Sequence, residues 1–135
     1  MITDNQTNKI YFSKLLKTDE RYRNTHRELC DILERKNIEY GFLPHTNDIW
    51  ARDYMPVQVS EKKFVEYNYD ADYLQGNSDN KGSRELKTYP DIVCDAIGLN
   101  TIKTDIILDG GNVVKSENAV IMTDKVVWEN KHHYS

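Results

Sequence analysis

Thr46-Asn47-Asp48-Ile49-Trp50-Ala51-Arg52-Asp53-Tyr54-Met55-Pro56-Val57 is the stretch that decides how the rest of the chain is read. It sets Asp48, Arg52 and Asp53 around a large aromatic, Trp50, between apolar runs at Ile38–Leu43 and Pro56–Val59 that read as strands. Charges caught between core-bound strands are paired or presented into a cleft, because desolvating them alone is costly. Pro56 has no N–H to donate, so the second strand starts there and is not central at that point. From composition alone, a charged loop closed by a surface ion pair is an equal reading.

A second informative stretch lies downstream, Asp105-Ile106-Ile107-Leu108-Asp109-Gly110-Gly111-Asn112-Val113-Val114. An apolar strand runs into Asp-Gly-Gly-Asn, and a second apolar strand follows. Gly-Gly permits a positive φ and lets another group approach the main chain closely. Asp109 would then be a fixed carboxylate at the rim of a sheet. The plainer reading is a hairpin turn.

Length and composition set the frame. The 135 residues suit one ordinary domain with a real core, read as a single unit over 1–135. With 30% charged and 39% hydrophobic residues, the chain has the balance of a soluble globular protein. A net charge of −4 argues against a nucleic-acid partner, which needs a basic face. The two cysteines, Cys30 and Cys94, form no CxxC, so a reducing compartment is the simpler inference. Met1–Asn8 lacks the apolar core of a signal peptide, and no apolar run approaches a membrane span. The cytoplasm is the expected location.

Along the chain, Lys9–Phe12 reads as a strand. Thr18-Asp19-Glu20 reads as the start of a helix whose buried face carries Tyr22, His26, Leu29, Cys30 and Leu33. On that face Cys30 and His26 are packing residues, not a catalytic pair. His45 reads as a surface-loop histidine. Glu61-Lys62-Lys63 turns the chain into a strand at Phe64–Tyr69, and the polar Asp70–Gly82 follows as a long loop. Tyr67, Tyr69 and Tyr73 read as core or edge packing before they read as pocket walls. Tyr89 or Pro90 opens a helix to Ile97, with Ile92, Val93, Ala96 and Ile97 facing inward, Cys94 inert and Gly98 as cap. Thr101–Lys103, Ile106–Leu108, Val113–Lys115, Ala119–Met122 and Val126–Trp128 read as strands. His132-His133 has no third partner to make a metal site, and none is expected. The order implies α/β with mixed sheets, and the halves Lys9–Val59 and Phe64–Thr123 repeat it faintly. No GxGxxG or P-loop is present.

Taken together, Asn-Asp-x-Trp-x-Arg-Asp-Tyr-x-Pro, the later Asp-Gly-Gly-Asn, Ile121-Met122-Thr123-Asp124-Lys125 and Glu129-Asn130 occur in one order. From about Ile38 to Asn130 the chain resembles the agmatine deiminase and bacterial, Porphyromonas-type peptidylarginine deiminase family of guanidine-modifying enzymes, within the pentein superfamily. That resemblance implies a propeller of five repeated β/α modules, of which this chain would hold about two. It implies hydrolysis of a guanidinium: agmatine to N-carbamoylputrescine and ammonia, or arginine or peptidyl-arginine to the citrulline product. No cofactor is implied.

Such chemistry needs carboxylates to hold the planar cation, a thiolate for its central carbon, and an acid–base group for the departing ammonia. By resemblance, Asp53 is the substrate-binding carboxylate and Trp50 a pocket wall able to take a cation over its face. Arg52 fixes the loop or a neighbouring carboxylate, with Asp48, Gly110, Gly111 and Asn112 as structural neighbours. Asp109 stands where many relatives carry Glu, and its shorter arm suits contact with substrate, direct or indirect, better than catalysis. The family's catalytic His-x-Asp is not found here, and neither cysteine has the nucleophile's context. The expectation is therefore an N-terminal portion, as a truncated chain, a split gene product or a fragment, inactive by itself.

Two other readings stand beside it: a non-catalytic module that binds a guanidine or amine, and a structural remnant whose charged motif only stabilises a loop. An incomplete propeller would also leave open sheet edges through which the chain self-associates.

Overall fold

The computed structural model describes residues 2–71, 74–75 and 84–132. Tyr73, most of the Asp70–Gly82 loop and His133–Ser135 lie outside the described residues.

Two parallel β-α-β units carry the fold. In the first, β1 (Lys9–Ser13) pairs in parallel with β2 (Glu39–Leu43), from Lys9 opposite Glu39 to Ser13 opposite Leu43. The connection runs through a single turn, α1 (Leu15–Thr18), and the longer α2 (Arg23–Arg35). In the second, β4 (Lys63–Asn68) pairs in parallel with β5 (Ile102–Ile107) across α4 (Pro90–Ala96). β3 (Val57–Ser60) joins antiparallel to β4, giving a mixed sheet of order β3-β4-β5. The chain continues into a small hairpin, β6 (Val114–Lys115) and β7 (Val120–Ile121), and then α5 (Lys125–Asn130). Parallel pairing demands a crossover, and helices supply it in both units. The chain is thus mixed α/β, as its element order implied.

The core lies where the two units meet. Leu43, Tyr54, Tyr67, Tyr69, Ala71, Leu74 and Val93 form one buried cluster, with Met55, Val57 and Leu108 packed against it. Three tyrosines in a core must each place a hydroxyl, since a buried phenol without a partner is costly. On the first unit, α2 leans on β2 through the His26 ring, 5.4 Å from Phe42. Cys30 is half-buried and Leu33 is the fully buried residue of that face, in keeping with packing roles.

Several boundaries differ from the sequence reading. Thr18 ends α1, and the capping residue is Asp19, which accepts from the Arg21 amide to start a 3-10 turn at Glu20 before α2 begins at Arg23. Tyr89 does precede Pro90 in the first turn of α4, and Gly98 follows the helix at a φ of 69°. The buried face of α4 is nevertheless Pro90, Val93 and Cys94, while Ile92 and Ala96 are exposed. A helix this short has its phase set by the packed Pro90, not by the pattern of its apolar residues. Thr101–Lys103 and Ile106–Leu108 merge into the one strand β5. Val126–Trp128 is helical, not extended. Asp124 sets the first turn by accepting the Val127 and Trp128 amides, and Lys125 and Glu129 pair one turn apart at 3.0 Å. Three apolar residues in a row fit either structure, and these contacts select the helix. No helix among the described residues is long and apolar enough to cross a membrane.

Candidate functional site

The stretch after β2 folds back on itself through its own polar groups. The Asp48 carboxylate accepts the Trp50 amide at 3.0 Å, the Trp50 carbonyl accepts the Asp53 amide at 2.9 Å, and one turn of helix results, α3 (Ala51–Tyr54). Tyr54 is wholly buried and donates its hydroxyl to the Asp48 carbonyl at 3.1 Å. Burial pushes its ionisation well up, so it stays a donor. Buried hydroxyls tie the start of the motif down: Ser13 and Thr46 share a hydrogen bond of 2.6 Å, and the Asn47 amide donates to Thr88 at 2.9 Å. His45 stands exposed at a φ of 56° in the turn before them, a loop residue as read from sequence.

The stretch after β5 makes a tighter turn. Asp109 caps a 3-10 turn at Gly110–Asn112, its carboxylate accepting the Gly111 amide at 2.9 Å. Neither glycine has a positive φ. They are required for close approach. A Cβ on Gly110 would meet the Arg52 carbonyl at 2.1 Å. A Cβ on Gly111 would lie 2.6 Å from Asp53 Oδ1 and 3.2 Å from Asp109 Oδ1.

Both carboxylates therefore reach over the same glycine, one from each β-α-β unit. Asp53 and Asp109 thus face each other closely enough for the charge of one to act on the other. Burial, then the neighbouring Asp109 carboxylate, then Asp48, push the Asp53 carboxyl up to about 6, against the opposing pull of the Gly111 amide. A cation bound at the pair would favour its ionised form, so it competes with the Asp53 proton at and below about pH 6. Two carboxylates offering adjacent oxygens match the flat N–H edges of a guanidinium.

The remaining residues named from sequence are placed as follows. Arg52 points away from the pair: its guanidinium donates to the Val113 carbonyl at 2.9 Å and meets Asp4 at 3.4 Å. It staples α3 to the chain beyond Gly111. The Asn112 side chain accepts the Thr123 amide at 3.0 Å and holds the next hairpin. Trp50 is 65% exposed and lines a cavity of about 300 Å³ with Phe12, Leu16, Tyr22 and Leu29, which neither acid touches. A larger groove of about 510 Å³ runs past Arg52, Met55 and Pro56, again without Asp53 or Asp109. The acidic pair is presented on an open rim.

Neither cysteine belongs to this rim. Cys94 is buried in α4, and burial with the Glu66 charge pushes its thiol up to about 12, the opposite of a poised nucleophile. Among the described residues there is no cluster of His, Cys, Asp or Glu that could hold a metal ion.

Two residues named in the sequence reading take parts here that it did not assign them. Tyr67 is 4% exposed, and its hydroxyl lies 2.8 Å from the Asp53 carbonyl and 2.9 Å from that of Met55. Asn130 uses its side-chain amide as a one-residue strand. It accepts the Ile107 amide and donates to the Ile107 carbonyl, both at 2.8 Å, at the end of β5 just before Asp109.

No curated protein matches the chain at a significant level. The family of Porphyromonas-type peptidyl-arginine deiminases does match, over residues 4–134. With its ordered motifs and its paired acids, this chain belongs to that family of guanidine-modifying, deiminase-type hydrolases.

Proposed function

We propose that the chain carries the guanidinium-holding half of a deiminase site, with Asp53 and Asp109 as the anions that grip the substrate and Trp50 as an aromatic wall for it. The convergence of both carboxylates on Gly111 is the observation that carries this reading. In the full reaction a cysteine thiolate adds to the central carbon of the guanidinium, and ammonia leaves with a proton from an acid–base group. Water then cleaves the amidino-thioether to release the ureido product and restore the thiol. Neither the His-x-Asp group nor a cysteine suited to this role is present in the 135 residues, so the chain by itself binds without turnover.

Agmatine, with conversion to N-carbamoylputrescine, and arginine or peptidyl-arginine, with conversion to the citrulline product, are the candidate substrates. The two β-α-β units would be about two of five propeller modules, acting in the cytoplasm. Their open edges would be the route to self-association.

The second reading, a non-catalytic guanidine or amine binder, draws support from Cys94, whose burial and raised thiol give it no path to chemistry. Calorimetry with agmatine, arginine and an acylated arginine amide, paired with an ammonia assay, tests both. Saturable binding lost in Asp53→Asn supports the shared claim. Absence of binding by any of the three sinks it, and ammonia release by the chain alone overturns the inactive half-site.

A further inference from the structure

We infer that Tyr67 is the positioning residue of the acidic pair: its hydroxyl locks the turn that carries Asp53 against the turn that carries Asp109. Its consequence for ligand binding rests on the guanidinium reading above; its structural claim does not.

Tyr67 sits on β4, and the two acids follow β2 and β5, so its side chain reaches both turns from the strand between them in sequence. Its hydroxyl lies within hydrogen-bond distance of the Asp53 and Met55 carbonyls, at 2.8 and 2.9 Å, which bracket the end of α3. On the other side, Gly110 approaches the same oxygen closely. A Cβ on Gly110 would stand 2.2 Å from it. A phenol has one proton to give and two lone pairs to receive with. Here it gives to the Asp53 turn and packs against the Asp109 turn. A tyrosine buried only for its bulk needs a single acceptor. The hydroxyl of this one is wedged between the two acid-bearing turns.

The charged groups around it are Asp109, Asp53 and Arg52. Burial and the two acids hold the phenol protonated far above neutral pH, so the lock does not open where the acids titrate. Removing the oxygen would keep the ring in the core while freeing the Gly110 turn to move relative to α3. The carboxylates would then part.

The test is Tyr67→Phe in the full chain. Carbon-13 NMR follows the Asp53 carboxyl, and calorimetry follows agmatine binding above pH 7. The Asp53 midpoint is expected to fall from about 6 toward the ordinary carboxylate range, with agmatine bound about tenfold more weakly. A folded variant whose Asp53 midpoint does not move overturns the inference, since a purely structural tyrosine would leave it unchanged. Should the unaltered chain bind no agmatine, the guanidinium reading fails while the Asp53 midpoint still decides for or against Tyr67. If the variant does not fold, the unaltered chain is examined for the Tyr67 hydroxyl proton. Slow exchange with cross-peaks to the Gly110 amide supports the lock, and exchange at the rate of a free phenol refutes it.

Discussion

Replacing Asp53 by Asn should make the protein more stable at neutral pH. In the folded chain the Asp53 carboxyl is raised from 3.8 to about 6 by burial and by Asp109. At about 1.4 kcal/mol per tenfold change in proton affinity, this amounts to roughly 3 kcal/mol held against folding when the group is ionised. Asp53 is only part-buried, so solvent screening reduces the figure to about 1–2 kcal/mol. The direction follows from proton binding. Between pH 4 and 6, roughly, the native state holds more protons than the unfolded chain, so this group's contribution falls as pH rises and is fully unfavourable above about 6. Asp53→Asn removes the ionisation and keeps a side-chain oxygen for the Gly111 amide. Urea unfolding of both proteins from pH 4 to pH 8 gives the difference directly. It is expected to grow through that range and level off above about pH 6.5. A variant less stable than its parent at pH 7.5, or a difference flat across the range, would refute the acidic-pair reasoning. Agmatine affinity should rise over the same interval, because the cation competes with the Asp53 proton.

Asn130→Ala should cost about 2–3 kcal/mol in urea unfolding, because it strips the half-buried end of β5 of both partners at Ile107 and also removes the bond to the Val126 carbonyl. Asn130→Asp, which cannot donate, should recover little of this. In the native chain a thiol reagent should modify Cys30 within minutes and leave Cys94 untouched until denaturant is added. Equal rates at the two would contradict the buried, raised thiol of α4.

Much of the site could be read from residue order because its chemistry is local. Asp53 lies between Trp50 and Pro56, and Asp109 precedes two glycines, so each turn announced its carboxylate. Close approach at Gly-Gly was the correct half of that reading, and a positive φ was not. Tyr67 stayed hidden because a tyrosine at alternate spacing in a strand looks the same whether its hydroxyl meets water or two backbone turns. Its partners lie in segments far from it in sequence. The helical Val126–Trp128 failed for another reason. A run of three apolar residues carries no period, and the deciding contacts come from Asp124 and Glu129 on either side. The phase of α4 was lost in the same way, since a two-turn helix buries what its neighbours cover.

The acids sit on different β-α-β units, and this has a kinetic meaning. Each unit closes its own parallel pair through its own helix, so each can gain structure from contacts within itself. The acidic pair exists only once the units have docked. A cation held between Asp53 and Asp109 would therefore slow the parting of the two halves more than the fraying of either one. Its arrival in a refolding experiment would time that docking step.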